Sequence, residues 1–126
     1  MNKVEEIVRE VRRLAAEKPD FIYEVPADTD RCLYVNPSAE CGSCIVGQAI
    51  LNITPRKHKS HVYETLSYFD TKPVAMTADD AVRDLVNVSE KDEESLEWID
   101  LVQRCQDNGL PWKLAVQRAD EAVLGE

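Results

Sequence analysis

Cys41-Gly-Ser-Cys-Ile-Val-Gly-Gln-Ala-Ile-Leu-Asn-Ile53 is the densest apolar run in the chain, and it carries two of the four cysteines and two of the four glycines. Ile45, Val46, Ala49, Ile50 and Ile53 fall at i, i+1, i+4, i+5 and i+8, the spacing of one helical face. Cys41-Gly42-Ser43 reads as the turn that leads in. Pro55 sets the end, because the residue before a proline avoids helical geometry. The expectation is a short central helix over about residues 44–53. A helix this apolar must be covered by the elements on either side.

Before it, Phe21–Val25 and Arg31–Val35 are β-prone, and Pro26-Ala-Asp-Thr-Asp30 is a turn cluster. They predict a β-hairpin over about residues 21–35. Further back, Val4, Ile7, Val8, Val11, Leu14 and Ala15 mark a helix over residues 2–18, ended by Lys18-Pro19. After Pro55, Ser60 is an expected cap for a short helix bearing Val62, Leu66 and Phe69. Thr77 with Asp79 and Asp80 reads as another helix start, since a hydroxyl caps free N–H groups and the helix dipole favours acids in the first turn. Ser89-Glu-Lys-Asp-Glu-Glu94 opens a helix that Asn108-Gly109 closes. Pro111 begins the last, with Trp112, Ala115, Val116, Ala119 and Val123 on its apolar stripe. The fold class is therefore α+β, mostly α: five or six helices around a central helix, plus one hairpin, in a single domain over residues 1–126.

The chain has 126 residues, with 15 Lys and Arg against 24 Asp and Glu, for a net charge of −9. Nucleic acid is not an expected partner, because phosphate contacts need clustered Lys and Arg. Anionic membrane surfaces are disfavoured likewise. The longest basic run, Arg56-Lys57-His58-Lys59, is too short to override that balance. No apolar run approaches the ~20 residues that span a bilayer. The N-terminal segment is amphipathic and charged, unlike a signal peptide, so a cytoplasmic location is expected. There, cysteines serve as thiols or metal ligands more often than as disulfides.

Three constellations could carry chemistry. Cys41-Gly-Ser-Cys44 matches most of the local signature of papain-type nucleophiles, but Ile45 stands where that signature has an aromatic residue. The family also places its His and Asn ~130–150 residues downstream, whereas the two histidines here are His58 and His61. Another kind of thiol enzyme using Cys44 stays open, because a helix N-terminus can lower a thiol pKa. The plainer reading is a buried thiol that labels slowly, with Cys44→Ser costing more than Cys44→Ala because it buries a hydroxyl. Second, Cys41-x2-Cys44 with His58-x2-His61 resembles two pairs of zinc ligands, although the histidine spacing is one residue short and the intervening segment is an apolar helix. Cys32 and Cys105 are further candidates. Third, Gln103, Gln106 and Asp107 form a polar helix end before the Gly109–Pro111 corner. A binding role for them competes with plain corner architecture. No phosphate loop is present, and the acidic pairs lie at helix starts, where capping accounts for them.

Arg31-Cys-Leu-Tyr-Val35, Cys44-Ile-Val-Gly-Gln-Ala-Ile50 and the Gln106-Asp107/Gly109/Pro111-Trp112 corner together resemble small uncharacterised proteins of actinobacterial phages and their hosts, from Pro19 onward. The resemblance brings no activity with it. It implies a cytoplasmic, phage-borne accessory protein. The leading expectation is a small non-enzymatic protein acting through contacts with an unknown protein partner, without a cofactor, and with self-association left open. The alternatives are a zinc-stabilised module built on Cys41, Cys44, His58 and His61, and a thiol enzyme using Cys44.

Overall fold

Asn2 starts the first helix: its side-chain oxygen accepts from Glu5 N at 2.9 Å, the N-cap bond that satisfies a helix's free N–H groups. A computed structural model describes residues 2–24, 33–36, 41–72 and 77–125. The elements in order are α1 (Lys3–Glu17), β1 (Val35–Asn36), β2 (Cys41–Gly42), α2 (Ile45–Ile53), α3 (Lys59–Asp70), α4 (Ala78–Leu85), α5 (Glu93–Asp107) and α6 (Trp112–Ala119). A 3₁₀ turn, Arg56–His58, leads into α3, another, Glu90–Asp92, leads into α5, and α6 runs on through a π turn over Asp120–Leu124. The described residues are thus mostly helical.

α2 buries Ile45, Val46, Gly47, Ala49, Ile50 and Leu51, and it packs against α1, α3, α5 and β2. The stripe Val4, Ile7, Val11 and Leu14 of α1 is buried, and α1 touches α2, α5 and α6. Trp98 and Trp112 are core residues. The Trp98 indole donates to Asp120 Oδ1 at 2.9 Å, and Arg12 grips the same carboxylate with both terminal nitrogens. The ring of Trp112 packs at a tilt against Phe21, with centroids 4.6 Å apart.

The helix ends follow local chemistry. Thr77 Oγ1 accepts from Asp80 N, and Ser89 with Asp92 forms a capping box. After α5, Leu110 N bonds to Cys105 O and Gly109 N to Gln106 O, while Gly109 takes a φ of 89°. This is the paired bonding that closes a helix through a left-handed glycine.

The hairpin expected over residues 21–35 is not the pairing found. β1 pairs antiparallel with β2, Val35 opposite Gly42 and Asn36 opposite Cys41. Phe21–Glu24, the described part of the first expected strand, is not in a strand; residues 25–32 lie outside the described ones. The reason is competition for backbone groups. Phe21 O accepts from Trp112 N and Pro19 O from Lys113 N, each at 3.0 Å, so this segment caps α6. Across β1, the Asp70 carboxylate takes the N–H groups of Tyr34 and Val35, and the carbonyls of Leu33 and Tyr34 accept from Cys44 N and Ser43 N. Ser60 likewise is not the cap of α3, which begins at Lys59 straight from the 3₁₀ turn.

Candidate functional site

The first turn of an α-helix leaves its N–H groups without internal partners, and at α2 these groups are buried. Cys44 is the N-cap residue, and its Sγ accepts from Gly47 N at 3.3 Å. The other two are taken by a different helix. Ile45 N donates to Gln106 Oε1 at 2.8 Å and Val46 N to Gln103 Oε1 at 3.3 Å, both reaching across from α5. The amide nitrogens of the two glutamines in turn donate to Asp107 Oδ1, at 3.2 Å from Gln103 and 2.8 Å from Gln106. The carboxylate fixes the orientation of both amides, leaving their oxygens facing α2. Its negative charge is thereby relayed to the positive end of the α2 dipole. Gln103, Gln106 and Asp107 are brought together, and these contacts serve the α2–α5 junction.

Two glycines let this junction close. A Cβ on Gly47 would overlap the Tyr34 carbonyl, so α2 rests backbone to backbone on the segment leading into β1. A Cβ on Gly42 would come within 2.5 Å of Gln48 Cα.

Cys44 is fully buried. Burial pushes its thiol up to about 12, outweighing the bond from Gly47 that favours the thiolate. The helix N-terminus lowers thiol pKa values where water reaches the sulfur; without water the cost of burying charge dominates. Cys105 is half-buried and is also raised by burial.

Of the expected zinc ligands, Cys44 is not brought together with His58 and His61. Cys44 sits before α2, while His58 ends the 3₁₀ turn and His61 lies in the first turn of α3. The nine residues of α2 hold the two sets apart by a helix of about 13 Å. The side chain of Cys41 and all of Cys32 lie outside the described residues. Among those described, no group of three His, Cys, Asp or Glu is placed to hold a metal ion.

The histidines belong to a feature that the sequence reading missed. A cleft of about 250 Å³ opens between α1, α2, α3 and α4, walled by Ile7, Ile50, Ile53, Val62, Val82 and Leu85. Lys3, His58 and His61 also line it, and among the described residues no carboxylate does. Ile53, Val62 and Leu85 remain partly exposed along it. The signal in the sequence was the Arg56–Lys59 run itself, set directly after the most apolar helix of an acidic chain.

No known protein family, no curated protein and no solved structure matches this chain. Among the described residues, no helix is long and apolar enough to cross a membrane.

Proposed function

We propose that this chain is a small, non-enzymatic, phage-encoded accessory protein of the cytoplasm that acts by holding another protein, and that the α1–α4 cleft is where it holds it. The observation that carries the reading is the cleft: aliphatic walls contributed by four helices, left open at the surface. Its volume of about 250 Å³ falls below the ~300–1,000 Å³ of pockets that enclose drug-sized ligands or cofactors, and suits one or two large apolar side chains. The position of Cys44 supports the same reading against a thiol enzyme, since the thiol is buried and lies a helix length from either histidine. The Gln103–Gln106–Asp107 cluster is assigned to architecture, because both amides are engaged by α2 and by Asp107.

A photoreactive amino acid placed at Val62, on the cleft wall, should give one discrete covalent protein adduct in the native cell, and the same group at exposed Glu97 should not. No adduct from position 62, or the same adducts from both positions, would overturn the reading. Stoichiometric zinc whose removal unfolds the protein would put the zinc-stabilised module in its place.

A further inference from the structure

We infer that the occupant of the cleft is an acidic segment of the partner protein that inserts one or two aliphatic or aromatic side chains between α1, α2, α3 and α4. This rests on the reading of the cleft as a protein-docking site and adds its chemistry.

The charge around the cleft is the argument. The chain carries 24 Asp and Glu, yet none of those among the described residues lines the cleft. Pro55, His58 and His61 line it, and Arg56, Lys57 and Lys59 alternate with them along the chain. All five basic residues from Arg56 to His61 are exposed. None of them makes an ion pair among the described residues, whereas Arg12, Arg13, Arg83 and Arg104 each face a carboxylate within 3.2 Å. Across the opening, Lys3 has only a loose partner, Glu6 at 3.5 Å. Lys3, His58 and His61 thus line the apolar cleft, and Arg56, Lys57 and Lys59 stand next to its lining residues with no carboxylate paired to them among the described residues. The net charge of −9 does not cancel this at contact range. Exposed charges farther away than a Debye length of ~8 Å are largely screened at physiological ionic strength, so the charges beside the cleft decide what docks. Complementary rims steer encounter and reject partners of the wrong sign. A lysine-rich segment would be repelled here and an acidic one accepted.

The test is selection of a displayed library of random twelve-residue peptides on the intact protein, followed by titration of the selected peptides into isotopically labelled protein. The expected peptides carry Asp or Glu beside Leu, Ile or Phe, and shift the amide resonances of Ile50, Ile53, Val62 and Leu85. Reversing charge at the rim, Lys57→Glu with Lys59→Glu, should weaken binding about tenfold. The thermal midpoint should hardly move, because these exposed side chains have no ion-pair partners among the described residues. Octanoate serves as the small-molecule probe. If neutral peptides bind the cleft and charge reversal changes nothing, the acidic partner falls and the docking reading stands. If no peptide is selected, or octanoate alone shifts the same resonances, both fall. Shifts at these residues on simply concentrating the protein would assign the cleft to a second copy, and would overturn the inference too.

Discussion

Replacing Gln106 by leucine should destabilise the protein without altering its exposed surface. Gln106 is fully buried, and its Oε1 is the acceptor for Ile45 N at 2.8 Å. Leucine fills similar space but accepts no hydrogen bond. Ile45 and its neighbours Cys44 and Val46 are buried, so water cannot replace the lost partner. A buried N–H left unsatisfied costs about 1–3 kcal/mol, and loss of a helix N-cap typically costs ~1 kcal/mol; the two describe the same bond and are not summed. Asp107 loses one donor but is exposed, and hydration offsets that loss. With an m-value of ~1.5 kcal/mol/M in urea, a loss of ~2 kcal/mol lowers the unfolding midpoint by ~1.3 M at unchanged m. The assay is urea unfolding followed by circular dichroism at 222 nm. A companion, Gln106→Glu, adds a pH signature. Below ~4.3 the introduced carboxyl is protonated and can make both bonds of the amide. Above that value it would ionise against Asp107 and in a buried site, so its folded pKa is raised. Stability should then fall as pH rises, by up to ~1.4 kcal/mol per unit, until the folded pKa is reached. A leucine variant whose midpoint stays within ~0.3 M of the parent would refute the capping account and return Gln106 to the binding candidates.

Four further outcomes are expected. Native Cys44 should resist alkylation at neutral pH, since its thiol is buried and pushed up to about 12; fast, selective labelling of it would revive the thiol-enzyme reading. Because Sγ caps Gly47 N, Cys44→Ser keeps an acceptor that Cys44→Ala loses, so alanine should cost more by about 1 kcal/mol, reversing the order expected from burial alone; equal melting temperatures for the two would argue against the cap. Gly47→Ala drives a methyl into the Tyr34 carbonyl and should cost about 1–3 kcal/mol or more, read as a drop of several degrees in Tm. Asp120 is held below the usual carboxylate range by Arg12 first, with Trp98 adding to it. A depressed carboxylate stabilises above its unfolded value of ~3.9 and loses that contribution as pH falls through its folded value, so Asp120→Asn should flatten the acid side of the stability profile; an unchanged profile would show that the contact carries no linkage.

The sequence by itself determined what depends on neighbours along the chain. The 3.6-residue period placed α1 and α2 to within a residue or two, because burying one face is a local pattern. Thr77, Ser89 and Gly109 marked helix ends through bonds spanning a few residues. Net charge set the expectation that phosphate backbones and anionic membrane surfaces are not its partners. Tertiary structure decided the rest, and always through groups far apart in sequence. Phe21 looked like strand, but its carbonyl caps α6, ninety-one residues on at Trp112, and β1 found β2 and Asp70 instead. The Cys–His spacing suggested a metal, but the α2 helix separates Cys44 from the two histidines, since spacing along the chain fixes distance only once the conformation between is known. Gln106 and Gln103 drew notice as three-apart polar residues, yet their role exists only because α5 lies across the start of α2. The cleft arises where four helices fail to close over their own aliphatic side chains, and no single segment records that gap. Hydrophobic periodicity says which face of a helix is buried; it does not say which neighbour covers it, or whether the cover is complete.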